Sequence, residues 1–465
     1  MVELRNIPYD ELEVGMTASE TRLCRADDLY IFANASGDCN PLHIPNVAGE
    51  PSAGGVSAAA ATAPGMWVAS LISSVLGNKL PGPDTLYRSQ SLRFLNRATA
   101  GETLTACVRL TGKEDDRIVR FDTWVGNAEG ARIVEGEAEV IAPAEARTYQ
   151  LGNVPGLTVR RHLHFDELIA AARDVPPLPT VVVAPEERDA LMGPLLAADH
   201  GLIDPLLVGD KDKIREQAAE HSLDISAYDV IHESTHQAAA ARGVALINDG
   251  AGAALMKGHL HTDVLLTEVL RKETGLRAGR RVSHAFVMDI PGLEHPLMIT
   301  DAAINIAPDL RVKADIVQNA IDLARALGVE RPRVGVLAAV ETVNPALPST
   351  LDAALLSKMA DRGQIIGGVV DGPLAMDNAV NLNAAQTKGI MSTVAGQAQI
   401  LVAPNLDAGN MIAKQLIYLA HAEAAGLVLG CKCPIILTSR ADSATARLAS
   451  CALAVLSKEG PGAWA

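Results

Sequence analysis

The chain has 465 residues, of which 48% are hydrophobic and 20% are charged, and its formal net charge is −15. This length is too great for one ordinary domain and ample for two or three buried cores, and the composition is typical of a folded protein. The negative charge excludes nucleic acid as a general partner, because phosphate backbones bind to basic surfaces.

The six cysteines show no spacing typical of secreted proteins. Cys431-x-Cys433 lacks the two-residue gap of common zinc and redox motifs, and the N-terminal residues have no apolar core of a signal peptide. We therefore expect reduced thiols and a cytoplasmic protein.

The first predicted helix begins at Asp27-Asp28 and runs into the sequence S-G-D-C-N-P-L-H at residues 36–43. Asn40-Pro41 consists of turn-forming residue types. A turn can bring the Asp38 carboxylate and the His43 imidazole to one point, where they could hold and deprotonate a water. Carboxylate and histidine are the commonest general acid/base pair near neutral pH. An Asx-type turn followed by a surface histidine would give the same spacing.

Residues 51–78 include no charged side chain, and such a stretch is long enough to cross a bilayer. Most of it is Ala, Gly and Ser, so its insertion would be weak. An apolar helix is also typical of the centre of a domain. We predict such a helix beginning near Ala63-Pro64-Gly65-Met66, because proline fits the first helical turn, and we predict no association with a membrane. The first amides of this helix would stabilise a negative charge.

Residues 102–141 contain three runs with partly alternating apolar residues, separated by polar turns at residues 113–116 and 127–130. This pattern predicts an antiparallel meander. The following segment, residues 143–179, is rich in proline and contains one short helical run, Asp166 to Arg173. We interpret it as a partly ordered linker.

From Thr180 onward, short apolar runs alternate with alanine-rich helical stretches. The runs are Val181–Val183, Pro205–Val208, Val334–Leu337 and Ile435–Leu437. Strands that alternate with helices predict a mostly parallel α/β domain, with ligands at the C-terminal ends of the strands.

The sequence S-R-A-D-S at residues 439–443 lies between a predicted strand, Pro434–Thr438, and a predicted helix, Ala444–Ser457. A helix that begins directly after a strand can bind an anion at its N-terminus. Arg440 can offer a forked pair of donors to phosphate or to a developing oxyanion. An ordinary helix start, with Arg440 in solvent, would give the same pattern.

The sequence H-E-S-T-H at residues 232–236 matches the H-E-x-x-H zinc pattern, which requires both histidines on one face of a helix. Residues 228–231 are predicted to form a strand, and the helix is predicted to begin only near Thr235 or His236. The two histidines would then not share a helix face, so we predict no zinc site.

The G-D-x-N-P-L-H core, together with Leu80–Pro83 and Tyr87–Phe94, resembles the MaoC-like (R)-specific enoyl-CoA hydratase family over roughly residues 10–142. The resemblance implies a hot-dog fold, in which a sheet wraps one long buried helix, and the hydration of trans-2-enoyl-CoA. It also implies that Asp38 and His43 are the catalytic pair.

By the same resemblance, Gly65 donates its amide to the thioester carbonyl and Asn40 belongs to the substrate-binding motif. The chain departs from the family pattern at two positions. Pro64 stands where the family usually has histidine, and Pro45 stands where it usually has aspartate. These departures leave the substrate range and the rate open.

An ordered set of motifs resembles the phosphate acetyltransferase/phosphate butyryltransferase family across residues 180–460. The set is L-M-K-G at 255–258, D-A-A-I-N at 301–305, D-G-P-L-A-M-D at 371–377, P-N-L-D-A-G-N at 404–410 and S-R-A-D-S at 439–443. The resemblance implies two α/β lobes with a cleft between them, and the reaction of acyl-CoA with phosphate to give acyl phosphate and CoA. The last motif is closer to the butyryl-type than to the acetyl-type enzymes.

The resemblance also supplies candidate roles. The expected catalytic residues are Ser439, Arg440 and Asp442, and the expected substrate-binding residues are Lys257, Asn305 and Asp377. Some acetyl-type relatives have an aspartate six residues after the arginine, where this chain has Ala446. Asp442 is a candidate substitute, and the base for the CoA thiol is left open.

These patterns predict an α+β hot-dog hydratase domain at residues 1–142, a linker at 143–179 and a two-lobed α/β acyltransferase domain with mostly parallel sheets at 180–465. We expect coenzyme A thioesters and phosphate as substrates, no tightly bound cofactor or metal, and a homo-oligomer. Two alternatives stay open. One half could serve only as an acyl-CoA-binding or oligomerisation module, or the second half could be a decarboxylating dehydrogenase. The acyl-chain length is not predicted.

Overall fold

The computed structural model describes residues 2–44, 61–151, 157, 159, 162–437 and 442–459. The chain divides into two compact units, Met1–Val159 and Arg160–Ala465, which are called here the N-terminal unit and the C-terminal unit. The division lies inside the predicted linker. No helix among these described residues is both long enough and apolar enough to span a membrane.

The N-terminal unit consists of two helices and eight strands over its described residues. They are β1 (Val2–Arg5), β2 (Thr17–Leu23), α1 (Ala26–Ser36), α2 (Gly65–Asn78), β3 (Leu86–Gln90), β4 (Arg93–Phe94), β5 (Thr103–Lys113), β6 (Ile118–Asn127), β7 (Arg132–Ile141) and β8 (Thr148–Leu151). An antiparallel sheet has the strand order β2-β5-β6-β7-β3, with β4 also paired to β7, and β1 pairs with β8.

The core of the N-terminal unit lies between α2 and the sheet. One face of α2 buries Val68, Ile72 and Val75, and alternate residues of β5, such as Leu104 and Val108, are fully buried against the same cluster. Period-two burial on the strands and an apolar helix are what a sheet wrapped around one helix requires. The hot-dog fold, the central helix and the meander are therefore confirmed.

The C-terminal unit contains eleven helices and eleven strands over its described residues. They are α3 (Leu163–Arg173), β9 (Leu178–Val183), α4 (Arg188–Asp199), β10 (Ile203–Gly209), α5 (Lys211–Glu220), β11 (Val230–His232), α6 (His236–Asn248), β12 (Ala254–Lys257), α7 (Thr262–Val269), β13 (Ser283–Asp289), β14 (Leu297–Thr300), α8 (Leu310–Ala326), β15 (Arg333–Leu337), α9 (Pro348–Asp361), β16 (Val369–Leu374), α10 (Met376–Val380), α11 (Leu382–Thr387), β17 (Ile400–Val402), α12 (Leu406–Leu419), β18 (Glu423–Leu429), β19 (Ile435–Ile436) and α13 (Ala444–Glu459).

The strands of the C-terminal unit form one sheet with the order β11-β10-β9-β12-β19-β18-β13-β14-β17-β15-β16. Two groups of parallel strands occupy the two ends of this sheet. Among the described strands, only β13 and β18 run antiparallel to both of their neighbours, and they join the two groups. The predicted mostly parallel α/β architecture is therefore confirmed.

Helix α3 belongs to the C-terminal unit, although its sequence lies in the predicted linker. It buries Phe165, Ile169 and Ala172 in the main core of that unit. The backbone N–H of Phe165 also donates a hydrogen bond of 2.9 Å to Oδ2 of Asp289 on β13. The predicted helical run is thus a packed element, because its apolar face has a partner on the sheet.

Candidate functional site

The sequence after α1 forms the predicted turn. Gly37 ends the helix with a φ of 75°, a backbone conformation that favours glycine. Oδ1 of Asp38 accepts a hydrogen bond from the N–H of Asn40, and the Asn40 side chain accepts one from the N–H of Leu42, both at 3.2 Å. The N–H of His43 donates to the Asn40 carbonyl at 2.9 Å. The described contacts of Asn40 therefore hold the turn that carries the Asp38–His43 pair.

The His43 imidazole is oriented by the chain that leads into α2. Its Nδ1 lies 2.7 Å from the carbonyl oxygen of Thr62, and a carbonyl can only accept, so the proton is on Nδ1. Nε2 then keeps its lone pair. This is the tautomer that can accept a proton from water, as a general base must.

Gly65 is the first residue of α2, as predicted, and its backbone comes close to an aromatic ring. A Cβ at this position would lie 2.8 Å from Cε1 of Phe94, so a larger residue would displace the ring or the helix start. The preceding Pro64 supplies no capping side chain, and helix-start amides without a cap can bind an anionic oxygen. Pro45, where the family usually has an aspartate, lies outside the described residues.

A cavity of about 1130 Å³ in the C-terminal unit is lined by several of the motifs. Its walls come from residues that end or follow β12, β14 and β19, from β13 and α12, and from the starts of α6, α7 and β18. The lining residues are His236, Lys257, His259, Leu260, His261, Thr262, His284, Phe286, Ala302, Ala303, Leu406, Asp407, Asn410, Met411, Ala413, Lys414, Ile417, Tyr418, Ala424, Leu437 and Asp442.

Ser439 and Arg440 lie outside the described residues. The described residues on either side of them, Leu437 and Asp442, both line the cavity. Ser443 caps the following helix, α13, because its Oγ accepts a hydrogen bond of 3.0 Å from the N–H of Ala446. Serine is one of the residue types that most often cap the start of a helix.

Lys257 lies in the cavity wall at the end of β12. Its Nζ donates to the carbonyls of Gly258 and Leu260, both at 3.2 Å, which fixes the side chain. A Cβ on Gly258 would lie 2.5 Å from the backbone oxygens of Val183 and Ala184, so this loop approaches β9 as closely as only glycine allows.

The structure does not bring Asn305 or Asp377 into the described cavity lining. Asn305 holds its own loop together, because its Nδ2 donates to Oδ2 of Asp301 at 2.6 Å and to the Val282 carbonyl at 2.9 Å. Asp377 pairs with Lys388 at 3.1 Å, and the hydrogen bond from that lysine lowers the pKa of Asp377. Both residues thus make structural contacts here, and their substrate-binding roles stay predictions.

The cavity also contains histidines that were not predicted as site residues. Nε2 of His236 lies 3.2 Å from Oε2 of the buried Glu186, and Nε2 of His259 lies 2.8 Å from Oε1 of Glu187. Burial acts to raise the pKa of Glu186, but hydrogen bonds from the Asp210 amide, from a lysine and from His236 lower it overall. The H-E-x-x-H pattern includes His236 but pointed to a different chemistry, and no motif of the sequence analysis singled out His259.

The two histidines of that pattern do not share a helix face, as predicted. His232 ends β11, and its Nδ1 accepts a hydrogen bond from the N–H of Lys211 at 3.2 Å. His236 begins α6, and Thr235 caps that helix by accepting from the N–H of Ala238. Over the described parts of the chain, no group of three or more His, Cys, Asp or Glu side chains could hold a metal ion.

His284 is the most buried histidine of the cavity wall. It is 2% exposed, its ring meets that of Phe286 edge-on at 4.4 Å, and its Nδ1 has no hydrogen-bond partner among the described residues. Burial lowers the pKa of His284 to about 4, against the opposing effect of the Asp301 carboxylate. The imidazole is therefore neutral at neutral pH.

Comparison with known proteins gives matches for both units. The family model for phosphate acetyl/butaryl transferase matches residues 231–455. A phosphate acetyltransferase from Rhizobium meliloti is 59% identical over 292 residues, which is 63% of this chain and 92% of that protein. The crystal structure of a branched-chain phosphotransacylase from Enterococcus faecalis V583 is 30% identical in sequence, with a TM-score of 0.54. The match covers 61% of the present chain and 100% of the chain in that crystal structure. The R-hydratase PhaJ1 from Pseudomonas aeruginosa is 35% identical with a TM-score of 0.31, over 34% of this chain and 100% of that chain.

Proposed function

The chain belongs to the phosphate acetyl/butyryltransferase family, and we propose that it is a bifunctional enzyme. In this proposal the C-terminal unit transfers an acyl group between CoA and phosphate, and the N-terminal unit hydrates trans-2-enoyl-CoA to (R)-3-hydroxyacyl-CoA. The observation that carries the transferase is the cavity, because it is lined by motif residues that lie far apart in the sequence, from Lys257 to Asp442. Family membership favours acyl transfer over the decarboxylating dehydrogenase that the strand pattern also allowed.

In the transferase, an oxygen of phosphate attacks the thioester carbonyl carbon, the C–S bond breaks, and CoA leaves with acyl phosphate as the other product. Negative charge develops on the carbonyl oxygen, and a fixed donor beside it lowers the barrier. We assign that role to Arg440, together with Ser439, since Leu437, which precedes this motif, and Asp442, which belongs to it, both line the cavity. Asp442, also in the cavity wall, is the candidate to exchange a proton with the CoA thiol.

In the hydratase, Asp38 and His43 hold one water between them. The water oxygen forms the bond to C3 of the enoyl group, and a proton is delivered to C2. Nε2 of His43 has the lone pair for the water proton, because Nδ1 donates to Thr62. The amide of Gly65 would donate to the thioester oxygen, on which negative charge builds before C2 is protonated.

One preparation of the full chain tests both assignments. We expect Arg440→Ala to lower phosphate-dependent thiol release from butyryl-CoA and acetyl-CoA by at least about 10²-fold, the range for a lost oxyanion donor. Arg440→Lys should restore only part of this rate, because lysine offers a point charge in place of a fork. Asp38→Asn and His43→Ala should each lower the hydration of crotonyl-CoA, followed by its absorbance, by about 10²–10⁴-fold.

Each variant is the control for the other unit. The Arg440 variants should hydrate crotonyl-CoA at the unsubstituted rate, and the Asp38 and His43 variants should release thiol at the unsubstituted rate. Unchanged acyl transfer in Arg440→Ala would remove Arg440 from the site. If the unsubstituted chain transfers acyl groups but does not hydrate crotonyl-CoA, the N-terminal unit is a binding or oligomerisation module instead.

A further inference from the structure

His284 lies next to the segment that leads to Ser439 and Arg440. It is the second residue of β13, and β18 runs beside it. A Cβ built on Gly426 of β18 would lie 3.0 Å from Nε2 of His284 and 3.2 Å from the carbonyl oxygen of Leu437. Because Gly426 has no side chain, nothing from this position covers the Nε2 edge of the ring. The imidazole also lines the cavity, as does Leu437.

The surroundings of His284 in the cavity are mostly apolar. Phe286 meets its ring edge-on at 4.4 Å, and Ala302, Ala424 and Leu437 line the same cavity. Nδ1 has no hydrogen-bond partner among the residues that the structure describes. Nδ1 is sealed from the cavity, so a bound group would hydrogen-bond to Nε2, the ring nitrogen beside Gly426.

Because the His284 imidazole is neutral, it can bind only certain kinds of chemical group on a ligand. Burial lowers its pKa well below the ordinary value, so the ring is not a fixed cation for phosphate. A base of low pKa is also poorly matched to a thiol proton. A neutral imidazole offers one donor and one acceptor. The complementary group is a neutral hydroxyl, which can accept from one partner and donate to another.

We propose that His284 recognises a hydroxyl group on the acyl chain, and that the C-terminal unit therefore prefers 3-hydroxyacyl-CoA to the saturated acyl-CoA of the same length. This inference rests on the proposed transferase function. The proposed product of the N-terminal unit carries this hydroxyl at C3. Phosphate attacks C1 and displaces CoA, so the C3 hydroxyl is retained and the product is a 3-hydroxyacyl phosphate.

The test compares (R)-3-hydroxybutyryl-CoA with butyryl-CoA as substrates of the full chain. Dehydration of the first substrate by the N-terminal unit releases no thiol, so the initial rate of phosphate-dependent thiol release reports acyl transfer alone. We expect kcat/KM to be about tenfold or more higher for the hydroxylated substrate, a factor that corresponds to one well-placed hydrogen bond. His284→Phe should remove this preference, because kcat/KM for the hydroxylated substrate should fall to about the value for butyryl-CoA.

His284→Gln is the conservative variant, since its amide keeps a donor and an acceptor, and it should recover part of the preference. Transfer of butyryl by the variants shows that they are folded. The proposal is overturned if the unsubstituted chain does not prefer the hydroxylated substrate, or if His284→Phe lowers transfer of both substrates equally, which would place His284 at the thioester carbonyl. If the unsubstituted chain transfers neither acyl group to phosphate, the proposed transferase function itself fails.

Discussion

Histidines of the same cavity differ in chemistry because the fold gives them different partners. His236 and His259 lie within hydrogen-bonding distance of the carboxylates of Glu186 and Glu187. His284 has no such contact among the described residues and is buried. Burial and neighbouring groups, rather than residue type, decide which contacts each imidazole makes.

A pH series tests the burial of His284. Its pKa is about 4 in the folded protein and 6.5 ordinarily. Below pH 6.5 the unfolded chain therefore binds a proton that the folded chain does not, and the unfolding free energy falls as the pH falls toward 4. Replacing His284 by Phe should remove about 2 kcal/mol of the loss between neutral pH and about pH 5.

Chemical denaturation of the full chain at neutral pH and at about pH 5 measures this difference in unfolding free energy. The value is taken from the unfolding transition that the substitution changes. Phe286→Leu is a matched control, because it alters the neighbouring ring but keeps the buried imidazole, and it should retain the acid loss. Equal acid losses in His284→Phe and the unsubstituted chain would show that the imidazole can be protonated in the folded state.

At the scale of single elements, the sequence predicted most of what depends on local pattern. Helix α2, the meander β5–β7 and the strand–helix pair around residues 438–443 were all predicted, since periodicity and turn chemistry are properties of the segment itself. The sequence did not predict that α3 packs against Asp289, because an apolar face shows that a partner exists but not which element supplies it.

The sequence predicted less of the candidate site, because a local pattern does not show which partner a residue contacts. Lys257 and Asp442 line the cavity, whereas Asn305 bonds to Asp301 and Val282, and the predicted roles of all three stay predictions. A motif shows that a residue type is required and not whether it contacts a ligand or the backbone. His284 gave no signal, because its importance depends on strands β13, β14 and β18 meeting in space.

The cap of α13 provides a prediction at this scale. Ser443 accepts a hydrogen bond from the N–H of Ala446 and donates one to Glu423, so it fixes the start of the helix that follows Arg440. Ser443→Ala should cost about 1 kcal/mol of unfolding free energy. It should also lower thiol release by about tenfold or more, because small displacements of a catalytic group are costly.

Asp309→Ala is the matched control for this substitution. Asp309 caps α8 by accepting from the N–H of Val312 and is not among the described residues of the cavity wall. Asp309→Ala should lower the unfolding free energy by a similar amount, without a similar loss of acyl transfer. If the two variants lose activity equally, the effect of Ser443→Ala is one of general stability and not of position.

At the scale of the whole molecule, each unit has its own core and its own proposed reaction. The N-terminal unit builds its core between α2 and an antiparallel sheet, and the C-terminal unit builds several clusters around an eleven-stranded sheet. In our proposal both reactions use CoA thioesters, and the product of hydration is the preferred substrate of transfer. Independent cores predict that the two activities can be separated by cutting the chain, provided that the cut respects the packing of α3.

Two fragments test where that cut must lie. A fragment that starts at Arg160 keeps α3 and should fold and retain acyl transfer. A fragment that starts at Asp174 lacks Phe165, Ile169 and Ala172, which are buried in the core, and it leaves Asp289 without the Phe165 amide. Since Phe165→Ala alone should cost about 3–5 kcal/mol in the full chain, loss of the whole helix should cost at least as much. Denaturation and thiol release of both fragments measure this difference. Equal stability would mean that α3 is dispensable to the core, and a folded Arg160 fragment without transfer would mean that the C-terminal unit does not act alone.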